Sequence, residues 1–357
     1  MFCKKNWLEI KNSFEAWWKN EPLDRPLIQV SSPRKNVLSQ SGYSVWDIVH
    51  NLDNFGYVLD KFERFCDETY FGGDAIPNLF VNFGPGVMSA YISGNLNIKE
   101  DTVWFETPME WNEIYDRLKY DSENKWWKLT KEITSLATER CENKFFVSIT
   151  DLGGNMDILA SLRGTERLLL DLVDSPDKVK YCLSKINELW FKYYDELCSI
   201  IKKSQEGTTS WMDIWCPERH YPLQCDFSYM ISPKMFEELV LPYLIEQCEY
   251  LNYSIYHWDG PGQIPHLDLL LSIGKLTGIQ WVPGAGAPTV TSEKWFPYYS
   301  KILKSGKTLV LPGVEPEKVK RLIKHTGQKG ILIQTIACNS EPQAENLLNE
   351  LLTEQSQ

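Results

Sequence analysis

Apolar positions along this chain recur at two periods. Trp7, Leu8, Ile10, Phe14, Trp17 and Trp18 fall near helical spacing, and Pro22 and Pro26 close that segment. Short apolar runs near 27–30, 76–81, 145–149, 209–212, 254–257, 279–282, 308–311 and 331–335 read as strands. Helix patterns lie between most of them: 45–51, 55–66, two helices over 111–140 with a break at Asp121-Ser122, 156–162, 177–202, 233–251, 295–305, 316–324 and a last one from Glu341. Ser175-Pro176 and Ser232-Pro233 each place a capping residue before a first-turn proline. The stretch 91–106 reads as a β-rich excursion and 215–226 as a loop. Short apolar strands alternating with helices predict an α/β fold, a closed (β/α)8 TIM barrel with a helical extension at its N-terminus. No internal repeat or linker interrupts residues 1–357, which read as a single domain. No glycine-rich phosphate motif follows any strand, against a nucleotide-binding open sheet.

In such a barrel the residues just past each strand share one end. Here they are Arg34, Asn82, Asp151, Asn155, Asp213, His257, Asp259 and Cys338. The stretch 253–286 is the most informative: a strand ends in His257-Trp258-Asp259, a Gly-Pro-Gly breaker follows, then a helix pattern and a second strand. His257 and Asp259 lie two apart and so on one side of the strand. Together with Cys338 they offer nitrogen, oxygen and sulfur donors for a zinc site with one open position. Zinc there would lower the pKa of a thiol or water. The plainer reading makes Cys338 an inert buried thiol and Asp259 a turn cap before Gly260. A second run, Cys216, His220 and Cys225, could hold a metal or pair a thiol with a base, but it lacks a fourth ligand and prolines interrupt it. Trp211, Trp215 and Tyr221 read either as a pocket wall or as ordinary loop packing.

Composition narrows the partners. The net charge is −11, which disfavours a nucleic-acid phosphate surface. No apolar run reaches the roughly 18 residues a membrane span needs, and residues 1–15 lack an apolar core of the signal-peptide kind. Nine scattered cysteines without an export signal read as reduced thiols, and the expected location is the cytoplasm. Fourteen tryptophans call for a large aromatic core or a ring-lined pocket.

The order of several motifs resembles the uroporphyrinogen decarboxylase superfamily, which includes methylcobalamin:coenzyme M methyltransferases and related corrinoid-dependent methyltransferases. The marks are Gly153-Gly154-Asn155-Met156-Asp157-Ile158-Leu159-Ala160-Ser161-Leu162-Arg163-Gly164, Asp174-Ser175-Pro176, Ile231-Ser232-Pro233-Lys234-Met235-Phe236, Leu241-Pro242-Tyr243, the His257-Trp258-Asp259-Gly260 tip and Cys338. The resemblance implies a TIM barrel. It argues against porphyrinogen decarboxylation, because Asn82 stands near the decarboxylases' central aspartate, Ala160 near their tyrosine, and only Arg34 in their two-arginine segment. The methyltransferases bind zinc through His-x-Cys and a later Cys. His257 and Cys338 match, and Asp259 stands in place of the first Cys.

What the resemblance implies is a zinc-dependent methyltransferase moving a methyl group between a small substrate and a corrinoid (methylcobalamin) carrier. His257, Asp259 and Asp213 are then the expected catalytic residues, with His257, Asp259 and Cys338 holding zinc. Asp151, Asn155, Asn82, Arg34, Trp211 and Tyr221 are expected to bind substrate. The expected partners are the small substrate, a corrinoid protein and a second copy of the chain. A decarboxylase or lyase acting on a non-porphyrin substrate, and a non-catalytic ligand-binding barrel, stay open beside it. The Asp-x-His-x-x-Gly signature of corrinoid binding is absent from this chain.

Overall fold

The computed structural model describes residues 4, 6–35, 41–105 and 108–353. In chain order the strands are β1 (Leu27–Pro33), β2 (Thr69–Gly73), β3 (Asn78–Phe80), β4 (Asn97–Ile98), β5 (Val103–Trp104), β6 (Phe146–Ser148), β7 (His220–Gln224), β8 (Tyr253–Asp259), β9 (Gly278–Val282), β10 (Thr308–Pro312) and β11 (Ile331–Ala337). Seven make one sheet in the order β2-β1-β11-β10-β9-β8-β7. All its pairings are parallel except that of β1 with β2. β3 and β6 form a separate parallel pair, and β4 and β5 a small antiparallel one.

The architecture is therefore mixed α/β around a central parallel sheet. Among the described residues no ladder joins β1 to β3 or β6 to β7, so the closed ring expected from the sequence is not drawn by backbone hydrogen bonds. β2 is one physical reason. It takes the free edge of β1, running from Gln29 opposite Gly73 to Pro33 opposite Thr69. Gly73 permits this: its φ is +58°, and a Cβ there would overlap the Ile28 carbonyl oxygen.

Three expected elements differ from the structure. Residues 209–212 form no strand. The chain from 208 to 216 doubles back through a single antiparallel bridge, Thr208 to Cys216, with Asp213 at a φ of 55°. The strand that pairs with β8 is β7, within the stretch read as a loop. Pro222 disguised it. β7 is the last strand of its sheet, and an edge is where a strand tolerates a residue without an N–H. The stretch near 91–106 holds a helix, Met88–Ser93, and only the short β4–β5 hairpin, with Glu106 outside the described residues.

The strand centres are buried on both faces, as their largely apolar runs require. At the strands' N-terminal ends the helix Trp7–Trp18 presses its aromatic face onto Trp215. Trp7 and Phe14 make ring contacts with it, and Trp18 Nε1 donates to its carbonyl oxygen at 2.8 Å. Trp18 also meets Tyr253, the first residue of β8. Aromatic packing fills that end and leaves the C-terminal ends of the strands for polar groups. Most of the tryptophans accordingly serve the core, eight of them almost fully buried. No helix is long and apolar enough to cross a membrane.

Candidate functional site

Four strands each carry one buried glutamine among apolar neighbours: Gln29 on β1, Gln224 on β7, Gln280 on β9 and Gln334 on β11. An amide buried this deeply needs partners, and three of the four find each other. Gln29 Nε2 donates to Asp213 O at 2.7 Å, and Gln334 Nε2 donates to Met212 O at 2.7 Å. Carbonyl oxygens only accept, so both amides have their nitrogen ends fixed there. Gln334 Nε2 also reaches Gln29 Oε1 at 3.3 Å, and Gln334 Oε1 accepts from Gln280 Nε2 at 3.2 Å. Gln280 Oε1 is left facing His257 Nδ1 at 2.7 Å. The network assigns the proton of neutral His257 to Nδ1 and leaves the Nε2 lone pair open.

That lone pair looks toward carboxylates. Asp259 Oδ2 lies 4.0 Å from His257 Nε2. Asp226, the first residue of a 3-10 turn after β7, completes a group whose ligand atoms all lie within 4.8 Å of one another. The backbone of that turn is held from below. Asp157 accepts from Asp226 N at 3.0 Å and from Phe227 N at 2.7 Å. Gly154 makes room for this, since a Cβ on it would overlap the Gln224 carbonyl oxygen and press on Asp157 Oδ2. The Gly153-Gly154 motif thus has a local cause: Gly153, at φ +88°, passes close to Gly86.

The electrostatics favour a cation. Burial raises the Asp151 carboxyl to about 6, against a hydrogen bond from Gly153 N. Burial, and then the neighbouring charge of Asp226, push Asp157 well above the carboxylate range. Burial raises Asp259 as well, with His257 pulling the other way. Among the described residues no lysine or arginine forms an ion pair with Asp151, Asp157, Asp226 or Asp259. Asp259 Oδ1 is buried with no hydrogen-bond partner, a costly state unless something else satisfies it.

A divalent metal fits these observations. Tetrahedral ligands about 2.1 Å from zinc sit roughly 3.4 Å apart; the donor atoms here, within 4.8 Å of one another, need draw in only modestly to match. The donors are one nitrogen and two carboxylates, a harder set than one containing thiolate. Cys338 is not part of the group. Its backbone N donates to Ser31 O at 2.8 Å, and its thiol borders a cavity of about 240 Å³ with Ser32 and Tyr43, where burial raises its pKa. Of the expected zinc set, the structure brings together His257 and Asp259 and supplies Asp226 in place of the thiol.

The other expected site residues divide. Trp211 stands edge-on to His257, with ring centroids 5.1 Å apart, and walls the site. Asp151 accepts from Gln224 Nε2 at 3.3 Å and lies close enough to Asp226 and His257 to feel their charges. Asp213 instead sits at the far end of the amide chain, where burial raises its carboxyl to about 6 and Asn78 Nδ2 donates to it at 2.8 Å. Asn155 spends its amide between helices, on Asn187 and Gln247. Asn82 does the same between Gly84 N and Val45 O. Tyr221 is buried with its hydroxyl between Leu152 N and Thr150 O. The Arg34 side chain is exposed and borders a different cavity, of about 680 Å³. His220 is no metal ligand: Thr208 Oγ1 lies 2.9 Å from Nδ1 and Ser210 Oγ 3.2 Å from Nε2, and burial lowers its pKa to about 3.

A known enzyme shares this fold. A methyltransferase from Methanosarcina mazei superposes with a TM-score of 0.60 over 98% of this chain and 99% of that one, at 13% identity. At that identity the likeness is one of fold. No family model and no curated protein matches the sequence.

Sequence reasoning missed Asp226, Asp157, Gln280 and Gln334. The glutamines did leave a signal. Leu-Ile-Gln-Val, Pro-Leu-Gln-Cys, Ile-Gln-Trp-Val and Ile-Leu-Ile-Gln each set one amide inside an apolar run. Four such strands point to inward-facing amides that satisfy one another. Asp226 left no comparable mark, because it ends a stretch that reads as a loop.

Proposed function

We propose that this chain is a methyltransferase that moves a methyl group between a small substrate and a corrinoid carrier, with Asp226, His257 and Asp259 holding a divalent metal at the C-terminal ends of the strands. The reading takes β1, β3, β6, β7, β8, β9, β10 and β11 as the eight strands of one split (β/α)8 barrel, in the chain order the resemblance implies. The observation that carries it is the free Nε2 of His257, set by the amide chain and standing near two carboxylates that lack a lysine or arginine partner among the described residues. The full-length fold likeness to a solved methyltransferase supports it. A metal bound there supplies a Lewis acid that lowers the pKa of a thiol or water bound to it. Zinc is the first metal to test, and the harder donor set extends the series to manganese and cobalt.

The chain's own groups do the rest. Gln280 holds His257 in one tautomer. Asp157 fixes the turn that presents Asp226. Trp211 supplies an apolar wall that keeps water from one side of His257. In the transfer, the acceptor–carbon bond forms as the donor–carbon bond breaks, and the electron pair of that bond leaves with the donor. The acceptor's proton passes to a nearby carboxylate, and Asp151, raised to about 6 by burial, is the group assigned that role. The proposed partners are the small substrate and a separate corrinoid protein, since the chain lacks a corrinoid-binding signature of its own.

The test is spectroscopic. Purified chain, loaded in turn with zinc, manganese or cobalt, is mixed with methylcob(III)alamin and a small thiol. The methylcobalamin absorbance should decay with wild type and not with His257→Ala. A wild-type protein that binds no divalent metal and leaves the spectrum unchanged would sink the reading.

A further inference from the structure

Between β1 and β3, where the ladder is missing, lies a cavity of about 160 Å³. Gln29, Phe65, Phe71, Asn78, Asp213 and Thr335 help to line it. We propose that this seam cavity is a second ligand site, one that takes a small organic cation. The inference does not rest on the methyltransferase reading.

The charge argument comes first. Asp213 Oδ1 accepts from Asn78, but its other oxygen takes no hydrogen bond among the described residues, and no lysine or arginine pairs with it there. An ionised carboxylate set into a cavity wall without a counter-charge is costly, and a bound cation offsets that cost. The walls then decide what kind of cation. Phe65 and Phe71 meet edge to face, with centroids 6.1 Å apart and planes at 85°. Phenyl rings that share a cavity wall with a carboxylate suit an alkylated ammonium, whose charge is spread over apolar surface, better than a strongly hydrated metal ion. The volume limits the ligand to a few heavy atoms, well under the pockets that hold drug-sized molecules.

Backbone strain marks the same place. Asp213 and Thr335, both lining the cavity, each have a φ of 55°. For β-branched Thr335 this is a true outlier, and such strain persists where surrounding structure enforces it, as at ligand clamps. The cavity is separate from the Asp226–His257–Asp259 group yet connected to it. Asp213 O holds Gln29, Gln29 holds Gln334, Gln334 holds Gln280, and Gln280 holds His257. A ligand drawn to Asp213 therefore pulls on the chain that orients the histidine.

The experiment titrates the full chain with methylammonium, dimethylammonium, trimethylammonium and tetramethylammonium chlorides at constant ionic strength, with tert-butanol as the neutral counterpart. Calorimetry should show saturable one-site binding for at least one ammonium ion and none for tert-butanol. Asp213→Asn should weaken binding at least about tenfold. Asparagine tolerates the positive φ and keeps an acceptor for Asn78, so this variant should fold. Asp226→Ala should bind as wild type does, which separates this site from the metal group. In wild type the ligand should also shift the His257 ring resonances, and Gln280→Met should abolish that shift without abolishing binding. The proposal is overturned if no ammonium ion binds saturably, if tert-butanol binds equally well, or if folded Asp213→Asn retains wild-type affinity.

Discussion

Gln280 Oε1 accepts from His257 Nδ1 at 2.7 Å, and this one bond decides which face of the imidazole is free. Gln280 has no choice of orientation, because its amide nitrogen is committed to Gln334 Oε1. The backbone carbonyls of Met212 and Asp213, on a different part of the chain, thus set the tautomer of a histidine two and three glutamines away.

Breaking that chain should loosen the metal site more than the fold. Gln280→Met is expected to cost roughly 10- to 100-fold in metal affinity, the usual range for a partner that orients a ligating histidine. Leaving Gln334 Oε1 and His257 Nδ1 without partners should also cost about 1–3 kcal/mol of stability. Metal titration and ¹⁵N spectra of the His257 ring check both. Unchanged affinity with an unchanged tautomer would refute the role given to Gln280.

The two candidate third ligands give opposite predictions. Asp226→Ala should abolish stoichiometric metal binding, while Cys338→Ala should retain it, since the thiol lies outside the donor group. Elemental analysis after dialysis against zinc reads the difference directly. Loss of metal in Cys338→Ala with retention in Asp226→Ala would restore the zinc set expected from the sequence.

Asp151 gives stability a pH dependence of defined sign. Its carboxyl is raised from 3.8 to about 6 by burial, so between those values the folded state holds the proton and the unfolded state releases it. Stability contributed by the neutral carboxyl is therefore full below about 4 and lost as pH rises through about 6. Asp151→Asn should be more stable than wild type by about 1–3 kcal/mol at pH 8, with the gap closing at pH 4. Denaturant midpoints at the two pH values test it; a pH-independent difference would count against a buried, raised carboxyl.

Gly154→Ala probes the packing beneath Asp226. The added methyl would strike the Gln224 carbonyl oxygen and Asp157 Oδ2, which supports the Asp226 turn. Overpacking of this kind costs about 1–3 kcal/mol, and metal affinity should fall with it. The change Gly274→Ala, at a position where a Cβ meets nothing within 4 Å, is the control and should leave affinity unchanged. Equal behaviour of the two variants in metal titration would show that Gly154 does not support the site.

Much of the fold was legible because burial writes itself into composition. A strand covered on both faces needs a largely apolar run, and β8, β9, β10 and β11 all carry one at the expected place. His257 and Asp259 were legible for a related reason: period-two geometry puts residues two apart on one face, so their proximity followed from the strand alone. β7 was not legible, because Pro222 mimics a loop unless its edge position is known.

The partners of His257 belong to another level. Asp226, Asp157, Gln280 and Gln334 come from chain positions whose spacing encodes nothing about their meeting, and only the packing of β7 to β11 into one sheet, with the helix Asn155–Arg163 against the turn after β7, brings them together. The sequence by itself determined the parallel strands, their helices and the His257–Asp259 pair, since these depend on local period and burial. Tertiary structure alone placed Asp226 beside His257 and Asp259, set Cys338 apart from them, and opened the seam at β1. Those outcomes depend on which strand edges pair, and that competition is decided across the whole sheet.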